Sequence, residues 1–240
     1  MTPPQLIPLH AYLRESLAFL SSHVYLLTGE LAARQEPNST FGVSRKALGE
    51  KIPKVYGDPL RYFIARLFIS HIASFEVFLQ DTVVLVAQKN PKKVGAANFT
   101  LAEVLDAEDS GVLVRRATDE FLTKLMYKKP SAYLEELCLV LSIDPDPMQQ
   151  RWKIFVEAKA RRDLGVHAAW RCNEVYLRKL KEIEIASTAN VGDIMLPPSG
   201  PYLDATMNSL NELASQITAR VCSVHWPDVD VSQLDLTSDA

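Results

Sequence analysis

The chain has 240 residues, 48% hydrophobic and 23% charged, enough to bury one proper core with a few appendages. A net charge of −3 and a pI near 6.0 give no global field that advertises a nucleic-acid binder. The three cysteines, Cys138, Cys172 and Cys222, are scattered and odd in number, which excludes a disulfide framework or a paired-cysteine metal site and fits a reducing cytoplasm.

In chain order, the first helix is expected over about 9–34. Its apolar residues Leu13, Leu17, Leu20, Val24, Leu27 and Leu31 alternate steps of four and three, the spacing of a bundle or coiled-coil seam. The run from Ser16 to Leu27 does not read as a signal peptide, because Glu15 precedes it, His23 interrupts it and no small-residue cleavage site follows. Residues 35–59 lose periodicity and gather Pro37, Gly42, Gly49, Pro53 and Gly57, so a loop with one short helix is expected. Asp58-Pro59 then opens a long central helix to about Gln88: the carboxylate caps, and the proline lacks an N–H where none is needed. This is the most apolar region, yet Arg66, His71, Glu76 and Asp81 punctuate it, which argues for a bundle helix rather than a membrane span.

Asn90-Pro91 ends that helix. Thr100 to Glu103 has the form of a capping box for a short helix, and two packing helices follow, one after Asp109 and one from Ser131. Asp146-Pro147 launches the next helix, where Trp152, Val156, Ala160, Asp163 and His167 fall on one face. Asp163 and His167 are four apart and within reach on a regular helix, whereas Arg162 and His167 lie roughly 140° apart around it. Arg162 must reach, the helix must break at Gly165, or a second subunit must complete the pair. Asn173 can cap a helix to about Lys181. Ile183-Glu184-Ile185, a turn at Asn190 to Gly192 and Ile194-Met195-Leu196 predict a small β-hairpin. The final helix repeats the four-three seam through Leu203, Met207, Leu210, Ala214, Ile217, Val221 and Val224, and residues 227–240 form an acidic tail expected to be disordered. One domain over 1–226 is expected.

Arg162, polar Asp163, three residues and His167 resemble the Arg-polar-x-x-x-His motif of the HEPN superfamily, helical domains of which many are RNases. Asn173-Glu174-Val175-Tyr176-Leu177, Val191-Gly192-Asp193 and Tyr202-Leu203 are similar to the C-terminal half of its stand-alone bacterial RiboL-PSP-HEPN-like branch, and Ser74 to Asp81 to an early helix there. The resemblance covers about 60–225 and implies an all-α, HEPN-type antiparallel helical bundle with extra helices. That branch usually has an Asn and soon a Gly after the histidine; Ala168, Ala169 and Trp170 stand here instead.

Metal-free RNA cleavage needs a base at the 2′-hydroxyl, an acid at the leaving 5′-oxygen and positive charge at the phosphate. His167 and Arg162 suit these needs, and Asp163 would hold the imidazole tautomer. Glu76 would orient Arg162 from the early helix. Arg161 and Arg171 would bind RNA, with Trp170 stacking a base or filling a dimer core. Between Arg151 and Lys181 nine basic residues face three acidic ones, a field a polyanion could use or simply a solvated face. A homodimer supplies the second histidine, as the resemblance also implies, with 2′,3′-cyclic phosphate ends. The expectation is a cytoplasmic, metal-independent and cofactor-free endoribonuclease in a toxin or phage-defence role, its partners RNA, a second copy and an antitoxin or nucleotidyltransferase-like protein. The alternatives are a non-catalytic HEPN-like module that binds RNA, a nucleotide or a protein, and a structural dimer built on the two seams.

Overall fold

Helix starts follow from local hydrogen-bonding chemistry in a computed structural model that describes residues 6–95, 98–197 and 201–228. Free N–H groups of a first turn need acceptors. Ser39 supplies one to α2 (Thr40–Gly49), and the Asp58 carboxylate takes the Arg61 N–H at 3.0 Å for α3 (Pro59–Lys89), which follows α1 (Ile7–Gln35). Thr100 and Glu103 form the full capping box of α4 (Leu101–Asp106), with Glu103 Oε2 accepting from the Thr100 N–H at 2.9 Å. Asp109 caps α5 (Ser110–Met126), Pro130 begins α6 (Pro130–Leu141), and Asn173 caps α8 (Glu174–Glu182) through a 2.9 Å bond from the Tyr176 N–H. Asp146–Met148 is a turn of 3₁₀-helix leading into α7 (Gln149–His167), and α9 (Pro201–His225) is the last helix described. The fold is an all-α helical bundle: nine α-helices and no strand occur among the described residues. The acidic tail beyond Asp228 lies outside them.

The expected hairpin does not form. Ile183 and Ile185 instead close the end of α8, their N–H groups donating to Lys179, Leu180 and Leu180 again. The turn at Asn190 to Gly192 is present, held by Asp193 Oδ2 accepting from the Asn190 N–H at 2.7 Å. Its outgoing arm pairs with the chain just after α7: Cys172 donates to Asp193, Gly192 to Cys172 and Met195 to Trp170, leaving one isolated antiparallel bridge between Arg171 and Ile194. Alternation marked a segment that wanted an extended partner, but not which partner.

The chain groups into two compact units, and their divides fall inside α1, α3, α7 and α9 rather than at a linker, so no shift in composition marks them. One unit takes the residues up to Ala11, Glu76–Trp152 and those from Glu212 on. Within it Phe78, Val83, Leu125, Leu137, Leu141 and Ile217 are buried, and α5 and α6 pack with a 3₁₀ turn at Pro91–Val94. His225 bonds Leu141 O and Asn90 at 2.9 and 3.1 Å, and the Trp152 indole donates to Pro130 O at 3.0 Å.

The other unit takes Tyr12–Phe75 and Lys153–Asn211 and carries the motif helix. Its core is aromatic: Phe75 meets Phe155 edge-on at 4.9 Å, and Phe68 stands 6.5 Å from Trp170 and 6.0 Å from Tyr202. α3 is the one described helix long and apolar enough to cross a membrane, and Ile64, Phe68, Ile72, Phe75, Leu79 and Val83 on it are all buried within the chain.

Candidate functional site

α7 stays regular through Gly165, so the break considered there is absent. A Cβ at Gly165 would run into the Trp170 indole, which lies over the glycine. The burial stripe on α7 runs Val156, Ala160, Leu164 in steps of four, with Leu164 at 2% exposure. That leaves Asp163 and His167 on its flank instead of in the stripe, contrary to the periodicity. Asp163 is part-exposed and His167 is exposed.

His167 is therefore not a satisfied core histidine; among the described residues its ring makes no hydrogen bond or ion pair. The expected Asp163–His167 pair is not made. Both carboxylate oxygens of Asp163 serve cations: Oδ1 is 3.3 Å from Arg162 Nε, and Oδ2 accepts from Lys179 Nζ of α8 at 3.2 Å. With one oxygen on each of two cations, the Asp163 carboxylate is already engaged on both sides. The Arg162 side chain is only 16% exposed.

Trp170 is a correction as well. It is fully buried, its indole N–H donates to the Tyr56 hydroxyl at 3.2 Å, and so it cannot stack on a base. Reaching that position takes a sharp exit from α7: the Ala168 and Trp170 N–H groups both donate to Leu164 O, with φ of +48° at Ala169 and +63° at Trp170. Such left-handed residues are strained by about 1–3 kcal/mol each, and Asn or Gly would relieve it. Here the buried indole offsets the strain, which gives a physical reason why this turn tolerates Ala and Trp.

Arg161 is not a free RNA ligand either. Its guanidinium bonds Glu157 at 2.8 Å, reaches the Tyr176 hydroxyl at 3.4 Å and lies 4.8 Å over the Tyr202 ring. Glu157 in turn accepts from Tyr176 at 2.8 Å and from Tyr202 at 2.6 Å. Burial works against the Arg161 charge, but Tyr202, Glu157 and Tyr176 together hold its pKa above the ordinary arginine value. Burial, with the Glu157 charge, raises both tyrosines. This clamp fastens α7 to the starts of α8 and α9. Glu157 was absent from the sequence reading, although Tyr176 and Tyr202 stood in the stretches that carried the resemblance.

Other members of the basic run are also engaged: Arg151 with Glu212 at 2.7 Å and Lys153 with Glu184 at 2.9 Å. Arg171, Arg178 and Lys181 are exposed and, among the described residues, make no ion pair. Glu76 belongs to the other unit, where its charge helps raise the pKa of Tyr133 behind the larger effect of burial. Among the described residues no group of three or more His, Cys, Asp or Glu side chains is arranged to hold a metal ion. Comparison of the chain with protein-family models, with curated proteins and with solved structures finds no match.

Proposed function

We propose that this chain is a metal-independent endoribonuclease of HEPN type, acting in the cytoplasm as a homodimer in a toxin or phage-defence role. The observation that carries the reading is His167: an exposed imidazole with no side-chain partner among the described residues, at the end of the helix that holds Arg162, with Arg171 exposed four residues on. An imidazole has one nitrogen that can take a proton and one that can give it, the two capacities this reaction needs. One histidine can serve only one end of the reaction at a time. In the dimer, one imidazole takes the proton of the 2′-hydroxyl as its oxygen bonds to phosphorus. The imidazole of the second copy gives a proton to the departing 5′-oxygen as the P–O5′ bond breaks. The products are a 2′,3′-cyclic phosphate and a 5′-hydroxyl, with no change of oxidation state. Arg162 neutralises the phosphate oxygens as charge builds. Asp163 anchors Arg162 and Lys179 in place of the tautomer-holding role first expected of it.

A second reading is favoured by that same anchoring. Arg162 is already engaged by a carboxylate and the imidazole has none, as suits a non-catalytic module that binds RNA, a nucleotide or a protein on this face. The test is incubation of mixed RNAs in EDTA with wild type, Arg162→Ala and His167→Ala, mapping product ends. Cleavage by wild type alone, with cyclic phosphate ends, is the expected result. Intact RNA with wild type sinks the nuclease, and filter binding with the same three proteins then decides for or against the module.

A further inference from the structure

Helix α1 is built with its polar stripe inward. Tyr12, Ser16, Phe19, His23, Leu26, Glu30 and Ala33 follow one another in steps of four and three, and this is the side turned to the protein: Tyr12, Ser16, His23 and Ala33 are at most 5% exposed. His23 Nε2 is buried with no hydrogen-bond partner among the described residues, and the Glu30 side chain, 9% exposed, bonds Arg45 of α2 at 2.7 Å. Only Leu13 of the leucine seam joins this core. Leu17, Leu20, Val24, Leu27 and Leu31 lie at 46, 45, 56, 39 and 61% exposure. A helix that buries serine and histidine while leaving five aliphatic residues in water is unfavourable unless something covers that face.

We infer that the outward seam of α1 pairs with the same seam of a second copy of this chain. The spacing selects the occupant. Positions 17, 20, 24, 27 and 31 repeat every 3.5 residues, the period at which one helix fits its knobs into the holes of another, and a seam of that period is complementary to itself. Charge agrees. Ser16 to Gly29 contain no Lys, Arg, Asp or Glu, so the residues flanking the seam, Ala18, Ser21, Tyr25 and Thr28, set no like charges against each other and are mostly small enough for close approach. Area agrees too. The five aliphatic residues with Tyr25, 65% exposed, leave on the order of 600 Å² in water per copy, against the roughly 800 Å² each partner gives a standard interface. The apolar surface continues past Tyr25 into a recess of about 230 Å³ lined by Leu26, Leu48, Leu60 and Phe63, which a second helix would shield.

The test is sedimentation velocity on the full chain over micromolar concentrations. Wild type is expected as a dimer, and Leu20→Glu/Leu27→Glu and Leu20→Lys/Leu27→Lys each as a monomer. Both sites are exposed, so far-UV circular dichroism stays that of wild type. Mixing the acidic and basic variants restores a dimer of one of each. A monomeric wild type overturns the inference, as do dimeric double variants, or a mixture of two well-folded monomers that does not associate. The nuclease reading also needs two copies, so a monomeric wild type overturns both. A dimer that leaves RNA intact ends the nuclease alone, and double variants that stay dimeric and still cut RNA end the seam alone. Arg162→Ala and His167→Ala are expected to remain dimers.

Discussion

Two helices of this chain carry the same four-three seam and meet opposite fates. On α9, Leu203, Met207, Leu210, Ala214, Ile217 and Val221 are all at most 5% exposed, and only Val224 at the end is open. On α1, Leu13 alone is covered, and the other five stand in water. The two patterns are equally regular in sequence, so periodicity says that a face is to be buried and not what buries it. The neighbours decide: α9 meets its own chain along the seam, whereas α1 is already fastened by the other side, through Tyr12, His71 and the Glu30–Arg45 pair.

The most severe way to test that contrast is within the covered seam. Leu210→Ala on α9, at a fully buried position, removes contacts and leaves a cavity, and roughly 3–5 kcal/mol of unfolding free energy is the expected loss. Urea denaturation measures it directly. A loss below about 1 kcal/mol, the range of surface changes, would mean that α9 is not held along its seam.

Acid probes the inward side of α1. His71 is fully buried, its Nε2 stands 3.3 Å from the Tyr12 hydroxyl, and Phe19 of α1 meets its ring edge-on at 5.5 Å. Burial lowers its pKa from 6.5 to about 4. Between those values the unfolded chain binds a proton that the folded chain refuses, so stability is full above about pH 6.5 and falls as pH drops toward 4. The whole effect amounts to about 3 kcal/mol. His71→Gln is expected to flatten that limb of the stability–pH curve, and equal slopes in the two proteins would remove His71 as its origin.

The helices were legible because their signals are local. The Thr100 and Glu103 box, the Asp58 cap and the two seams need nothing beyond a few neighbouring residues. What escaped depends on residues far apart in the chain. Glu157 gathers Tyr176 and Tyr202, 19 and 45 residues away, and no spacing announces that. Asp163 is four residues from His167 yet pairs with Lys179, because α8 comes back alongside α7. Gly165 reads as a helix breaker, but its role is to make room for an indole five residues on. Gly165→Ala therefore tests long reach against local propensity: alanine favours a helix by about 1 kcal/mol over glycine, while the overpacking against Trp170 costs about 1–3 kcal/mol. Net destabilisation, with altered Trp fluorescence, is expected; a stabilised variant would show the helix preference to be the stronger effect.

The gentlest change falls on the open seam. Leu20→Ala removes a side chain that is 45% exposed, and alanine is the better helix former. In solutions diluted below the range in which the copies associate, the unfolding free energy is expected to change by less than about 0.5 kcal/mol. The two seams then differ by several-fold in what a single leucine is worth. Raising the concentration changes the outcome for wild type, because association stabilises whatever form it binds. The wild-type midpoint climbs with protein concentration and that of Leu20→Ala climbs less. Parallel curves for the two proteins would leave Leu20 outside any interface, and the leucine seam of α1 would then be an exposed face with no partner in the second copy.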